Sequence, residues 1–397
     1  MTASISISAD RSARTAEPLP AFDYQPLGRL VFESGGLAKL GALARELGGT
    51  RALLVTDPGL EAAGHPQRAM RYLRQAGLEA FLFDGVEENP ETKHVAAGVE
   101  AAKQHRIDFL IAVGGGSSMD CAKGINFLYT NGGQMADYRG HGTAKKPMLP
   151  SIGVPTTAGT GSEAQSFALI ADASTHMKMA CGDRKAAFRV SILDPELTLS
   201  QPPAVTAITG LDAMTHAIES YVCATRSPLS QSYSLTAWRY LEPNYERVLE
   251  APLDLAARGA MQLGAYFAGM AIEASMLGAA HSCANPLTAH YGTTHGIAVG
   301  LMLPHVVRYN ALTVGHLYAD LAHCSGLGNG EPPAEVLVRR ITTLMHTAGL
   351  PTTLSQCGVS RGILPLLAEE AAQQWTSRFN PRPVGDAELL RLYEAAW

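Results

Sequence analysis

The chain has 397 residues, of which 46% are hydrophobic and 17% charged, with a formal net charge of −5. A chain of this length supports more than one core. So mild an acidic balance, with no Lys/Arg block, excludes an extended nucleic-acid surface.

The first residues, MTASISISADRSARTAEPLP, are polar and small and lack the apolar centre of a secretory signal, so residues 1–24 read as a flexible arm. From residue 25 the pattern alternates. GRLVFES, RALLVTD, EAFLFDGV, IDFLIAVG and PSIGVP read as strands. LAKLGALAREL, RAMRYLRQAG, KHVAAGVEAAKQHR and the segment from Met119 have helical spacing. This alternation predicts a Rossmann-like α/β domain over 25–198 with a parallel sheet and helices on both faces. After the proline-containing stretch at 194–203 almost every pattern is helical, which predicts an all-α domain over 199–397. No apolar run appears long enough to cross a bilayer, so no membrane partner is expected. Six cysteines at 121, 181, 223, 283, 324 and 357, none in C-x-x-C spacing, read as reduced thiols of a cytoplasmic protein.

Two groups of residues carry chemistry. Gly114, Gly115, Gly116 and Ser117 follow a strand and open a helix, a geometry that offers backbone N–H groups and a positive helix end to a phosphate. A tight turn without ligand is the bland alternative. Thr156, Thr157 and Thr160 exit the next strand and are placed to face the same crevice. Asp57 ends an earlier strand, where a carboxylate accepts from a ribose 2′-OH and repels a 2′-phosphate, favouring NAD over NADP. A helix N-cap is the alternative role for Asp57. Neither G-x-G-x-x-G nor the P-loop pattern is present.

The second group is Asp212, His216, His281 and His295. Asp212 and His216 are four apart and share a helix face. His281 ends an apolar helical pattern, and a turn at YGTTHG returns His295 toward it. One carboxylate and three imidazoles suit Fe²⁺ or Zn²⁺. Isolated histidines are ordinarily hydrogen-bonded interior residues, and it is the set that argues for a metal. His290, expected on a loop between two of these donors, is a candidate to line the pocket and act on substrate, or is simply solvated.

Together GGGSSMDCAK (114–123), PTTAGTGSE (155–163), DPELT (194–198), GLDAMTHAIE (210–219) and the block from His281 through LPHVVRYN resemble the iron-containing (group III) alcohol dehydrogenase family, over roughly residues 25–397. The resemblance implies a dehydroquinate synthase-like architecture with the site in the cleft between the two domains. It implies a metal held by Asp212, His216, His281 and His295. It further implies cofactor contacts from Gly115, Gly116, Thr156, Thr157, Thr160 and Lys178, with Ser117 and Asp120 in the same neighbourhood. A small alcohol or aldehyde as substrate, catalysis through the four metal ligands, and self-association follow from it. One departure stands out: where the family often has a second histidine, in H-x-x-x-H-P-L, this chain has Asn285. A maleylacetate reductase-like enzyme, which need not use metal, and a dehydroquinate synthase-like lyase are the rival readings. Phe167, Leu169, Met270, His290 and the loop before His295 are the expected substrate-facing residues.

Overall fold

The structure, a computed structural model, describes residues 21–173, 177–328 and 330–397. Most of the expected arm therefore lies outside the described residues, and 21–24 form no regular element.

Among the described residues the first half has nine strands: β1 (Arg29–Phe32), β2 (Arg51–Val55), β3 (Glu79–Phe83), β4 (Phe109–Gly114), β5 (Gly140–His141), β6 (Ser151–Pro155), β7 (Phe167–Ala171), β8 (Lys178–Gly182) and β9 (Val190–Leu193). Six of them form a parallel sheet in the order β1-β9-β6-β4-β2-β3. The helices α1 (Leu40–Glu46), α2 (His65–Gln75), α3 (Thr92–His105) and α4 (Gly116–Asn131) connect them.

The centre of the sheet is parallel and buried on both faces because β4 is apolar throughout and β2 is apolar after Arg51, with no alternation of polar and apolar residues. Leu53, Val55, Leu110 and Ala112 face one layer, which α3 and α4 cover. Ala52, Leu54, Ile111 and Val113 face the other, packed with Leu40, Leu43, Ala69 and Leu73 of α1 and α2. Burial of each large side chain of this set contributes about 1.5–3 kcal/mol.

Strand order reverses at β4. β2 and β3 lie to one side of it, and β6 and β9 to the other. The carboxyl ends at such a switch point form a crevice. Registers Val55↔Ala112 and Gly114↔Pro155 bring the end of β2, the glycine turn and the threonine-rich turn to one rim.

The second half is helical: α5 (Pro203–Val222), α6 (Pro228–Glu250), α7 (Leu255–Glu273), α8 (Ala279–Tyr291), α9 (His295–Cys324, kinked at Val314), α10 (Pro333–Thr347), α11 (Leu364–Ala372) and α12 (Asp386–Ala396). One continuous core unites them, and α5 runs through it buried from Gly210 to Val222.

Helix α7 is the seam between the halves. Gln262 Nε2 donates to the Pro155 carbonyl at 3.1 Å. Glu273 accepts from Ser166 N and Oγ at 2.9 and 2.8 Å. Between these, the Gly161 loop lies directly on the helix backbone: a Cβ on Gly269 would sit 2.4 Å from the Gly161 carbonyl oxygen. Gly161 also has φ 60°, a left-handed conformation that glycine adopts at no steric cost.

Three features depart from the sequence expectation. Helix α4 begins at Gly116, not Met119, because the Gly-Ser-Ser segment forms its first turn despite weak helix propensity. A second, three-stranded sheet, β5-β8-β7, with an antiparallel β7–β8 pair, was not anticipated. And α9 is long and apolar enough to span a bilayer, yet 61% of its apolar window is buried in the fold, as a core helix would be.

Candidate active site

Between the two halves runs a cleft of about 740 Å³. The rim from the sheet contributes Asp57, Gly115, Gly116, Ser117, Asp120, Thr156, Thr157 and Thr160. The helical half contributes Asp212, His216, His281, Asn285 and His295, and β8 contributes Lys178.

Helix α5 places Asp212 and His216 one turn apart, and α8 places His281 opposite them. Their ligand atoms all lie within 4.8 Å of one another, and all three residues are buried. Asp212 Oδ1 is 3.4 Å from His216 Nε2 and 3.6 Å from His281 Nε2. Ligand atoms bound at about 2.0–2.2 Å to a tetrahedral ion are separated by about 3.4 Å, so the spacing fits. His295, the first residue of α9, stands at the edge of this group, its ring centroid 5.3 Å from that of His281.

The hydrogen bonding makes the case sharper. Glu219, one further turn along α5, accepts from the Ala280 N–H at 2.7 Å and from His281 Nδ1 at 2.6 Å. That bond puts the neutral tautomer's proton on Nδ1 and turns the Nε2 lone pair toward Asp212. Two acceptors then face each other with nothing between, and neither Asp212 Oδ1 nor His281 Nε2 has a hydrogen-bond partner. His216 Nδ1 and His295 Nδ1 are likewise buried without one. Such a set calls for a cation.

Protonation follows the same logic. Burial alone would lower His281, but the carboxylates of Asp212 and Glu219 beside it outweigh burial and raise its pKa to about 9, so a cation binding here must displace the Nε2 proton. Burial lowers His216 to about 4 against the pull of Asp212. Burial, reinforced by Lys178, holds His295 well below its usual range. Asp212 is opposed by burial, yet the surrounding imidazoles keep it below the ordinary carboxylate range.

On the sheet side, α4 presents the free N–H groups of its first turn to the cleft, with Gly115 as N-cap and no acidic residue in that turn. Side chains here would close the approach: a Cβ on Gly116 would lie 2.6 Å from Thr160 Cγ2. Gly114, at the strand end, is not among the cleft-lining residues. It has φ 155°, and a Cβ there would meet Ser118 Oγ at 2.3 Å. Asp57 precedes a short 3₁₀ turn, Pro58–Leu60, but makes no capping bond with its side chain. It accepts instead from Ser118 Oγ at 3.2 Å and lines the cleft.

Asp120 accepts from Ser162 Oγ at 2.6 Å and lies 3.9 Å from buried Lys123 Nζ. Lys123 donates to the Ser162 and Phe167 carbonyls at 2.7 Å each, so it braces the threonine-rich loop. Burial raises the Asp120 pKa and lowers that of Lys178, whose charge is supported by Asp120 and Asp212.

Two expectations are corrected. His290 does not lie on a loop in the cleft: it is part of α8 and pairs with Glu370 at 2.8 Å. Nine residues from His281 is about two and a half helical turns, which puts it on the opposite face. Met270 packs with Ala164, Leu193 and Tyr266 outside the cleft, whereas Phe167, Leu169 and Thr294 do line it. Sequence reasoning missed Glu219, although Asp212, His216 and Glu219 at i, i+4 and i+7 form one helix face. It also missed Trp375 and Thr376, brought to the cleft from the distant C-terminal segment.

The family model for iron-containing alcohol dehydrogenase matches residues 28–195, and that for the C-terminal part of the Fe-containing family matches residues 206–397. The chain is 34% identical to the 1,3-propanediol dehydrogenase of Klebsiella pneumoniae over 383 residues, covering 95% of this chain and 99% of the relative. It is 33% identical to the NAD-dependent methanol dehydrogenase of Bacillus methanolicus, covering 92% and 97%. A crystal structure of a 1,3-propanediol oxidoreductase superposes with a TM-score of 0.92 at 34% identity, over 95% of this chain and all of that one.

Proposed function

This chain belongs to the iron-containing alcohol dehydrogenase family and is an alcohol–aldehyde oxidoreductase; from that premise we propose which residues carry the reaction. A divalent ion is held by Asp212, His216, His281 and His295, and NAD(H) lies along the glycine turn, with residues 25–198 serving the nucleotide and 199–397 the metal. The observation that carries this reading is Asp212 Oδ1 facing two imidazole Nε2 atoms with no hydrogen-bond partner. Iron and zinc both suit these donors.

When bound, the ion supplies Lewis acidity that eases loss of the alcohol proton, and the nicotinamide supplies the hydride acceptor. The protein's own residues do the rest. The first turn of α4 binds pyrophosphate through N–H groups and the helix dipole. Lys178 and Asp120, both lining the cleft, would hold the nicotinamide ribose. Phe167, Leu169 and Ile272 keep the reacting end of the cleft apolar. Neither Asn285, which does not titrate, nor His290, on the far face of α8, is placed to carry the alcohol's proton. Among the described residues lining the cleft, Lys178 is the one lysine or arginine. A lyase acting on a phosphate- and carboxylate-bearing sugar needs more cations than that, which disfavours the dehydroquinate synthase-like alternative. The cysteines, all free, fit a reducing cytoplasm. Leu253 and Leu255 at the start of α7, and Phe32 on β1, are exposed large hydrophobic residues that support self-association.

Elemental analysis of anaerobically purified protein, with an NAD-coupled alcohol screen, tests the assignment. The expected result is about one iron or zinc per chain and turnover that chelation abolishes. Full turnover after complete chelation favours the metal-free, maleylacetate reductase-like alternative. For Asp57, replacement by Gly removes the charge that repels a 2′-phosphate. The ratio of kcat/KM with NADP to that with NAD should rise about tenfold or more. An unchanged ratio counts against its role.

A further inference from the structure

Asn285 lies one helical turn beyond His281 on the same face of α8, lines the cleft, and is only 8% exposed. A short chain of bonds fixes which way its amide points. Gln374 Nε2 donates to the Glu370 carbonyl at 3.3 Å. A carbonyl only accepts, so the nitrogen of Gln374 must be on that side. Gln374 Oε1 is then free to accept from Asn285 Nδ2, at 3.0 Å. Asn285 Oδ1 is therefore the outward atom. Among the described residues nothing donates to it, and it is not sealed in the interior with the partnerless buried atoms. Its open side is the cleft.

A second chamber of about 250 Å³ meets the cleft at this point. It shares Glu88, Asn89, Ala171, Lys178 and Asn285 with the cleft and adds Thr288. Asn285 thus stands at a junction, one turn, about 5.4 Å, along the helix from a metal-site histidine.

We propose that Asn285 is a specificity-determining residue that accepts, at Oδ1, a hydrogen bond from a second hydroxyl of the substrate, with Gln374 as the residue that positions it. The substrate class is then a short alcohol or aldehyde with another hydroxyl one or two carbons from the reacting carbon, its far end directed toward the side chamber. A monohydric alcohol leaves the acceptor unpaired, the condition under which polar sites discriminate well. This rests on the reading that the cleft oxidises alcohols, and deepens it.

The test compares kcat/KM of the metal-loaded enzyme with NAD for 1,3-propanediol, 1,2-propanediol and 1-propanol. The wild type should prefer a diol over 1-propanol by at least about tenfold. Asn285→Leu should bring the diol/1-propanol ratio down by about tenfold or more. Gln374→Leu should lower it too, chiefly through a higher KM for the diol. Gln374→Glu, which keeps an acceptor for Asn285 Nδ2, should restore it. If Asn285→Leu does not fold, Asn285→Ser, whose hydroxyl is too short to reach, takes its place. Diol binding to the enzyme–NADH complex, followed by nicotinamide fluorescence, should weaken in parallel without any turnover. Ratios within twofold of wild type in the folded variants would overturn the proposal while leaving alcohol oxidation intact. If the wild type turns over no alcohol at all, the underlying reading fails and this one with it.

Discussion

Asp212→Ala is expected to emerge from anaerobic purification with little bound metal and with kcat/KM reduced by about 10³-fold or more. The geometry sets that magnitude. Asp212 supplies the only negative charge among the four donors, and its Oδ1 is the atom that both His216 Nε2 and His281 Nε2 face. Without it, three imidazoles must attract a dication in a buried site with no compensating charge of their own. Loss of the ion forfeits several kcal/mol of transition-state stabilisation, and each ~1.4 kcal/mol is tenfold in rate. Asp212→Asn keeps an oxygen but not the charge and should fall between wild type and alanine. Metal content by elemental analysis and NAD-coupled turnover are the two readouts. Ordinary turnover by a rigorously metal-free Asp212→Ala/His281→Ala double variant would defeat the assignment.

Glu219→Gln is the second large effect, and it acts through a proton. Glu219 accepts twice, from the Ala280 N–H and from His281 Nδ1. A glutamine has one oxygen and one NH₂. If the oxygen keeps the Ala280 bond, the NH₂ faces Nδ1 and can only donate to it. His281 must then adopt the other tautomer, with its hydrogen on Nε2, pointing at Asp212. The atom meant to bind the ion is now occupied. Metal affinity should fall about 10–100-fold, the usual consequence of losing a ligand's orienting partner. Chelator competition measures the dissociation constant, and the melting temperature of the metal-free protein controls for damage to the fold. An unchanged dissociation constant would show that Glu219 only supports packing.

How much of this was legible in the chain depends on how local each signal is. The parallel sheet could be read because β4 is apolar throughout and β2 is apolar after Arg51. Asp212 and His216 could be paired because i, i+4 spacing fixes a shared face whatever surrounds it. The β7–β8 pair was harder. Its five-residue strands, FALIA and KMACG, mix alanine and glycine with larger residues, and only tertiary pairing makes them strands. With them went the structural placement of Lys178. His290 falls outside the expected loop because α8 continues through Tyr291 and ends on left-handed Gly292. Trp375 and Thr376 carry no periodic signal toward the cleft. They reach it only because the segment after α11 folds back against α8.

The glycine contact between Gly161 and Gly269 has a wider implication for how this scaffold changes over generations. Backbone touches backbone there, so the distance from the threonine-rich loop to α7 is fixed by main-chain geometry that no side chain can tune. New substrate preferences must therefore arise elsewhere, on α8, in the loop before α9 and along the β7–β8 hairpin. In a mutational library screened for activity on unfamiliar alcohols, diversity should accumulate in those segments, while positions 161 and 269 return glycine almost every time.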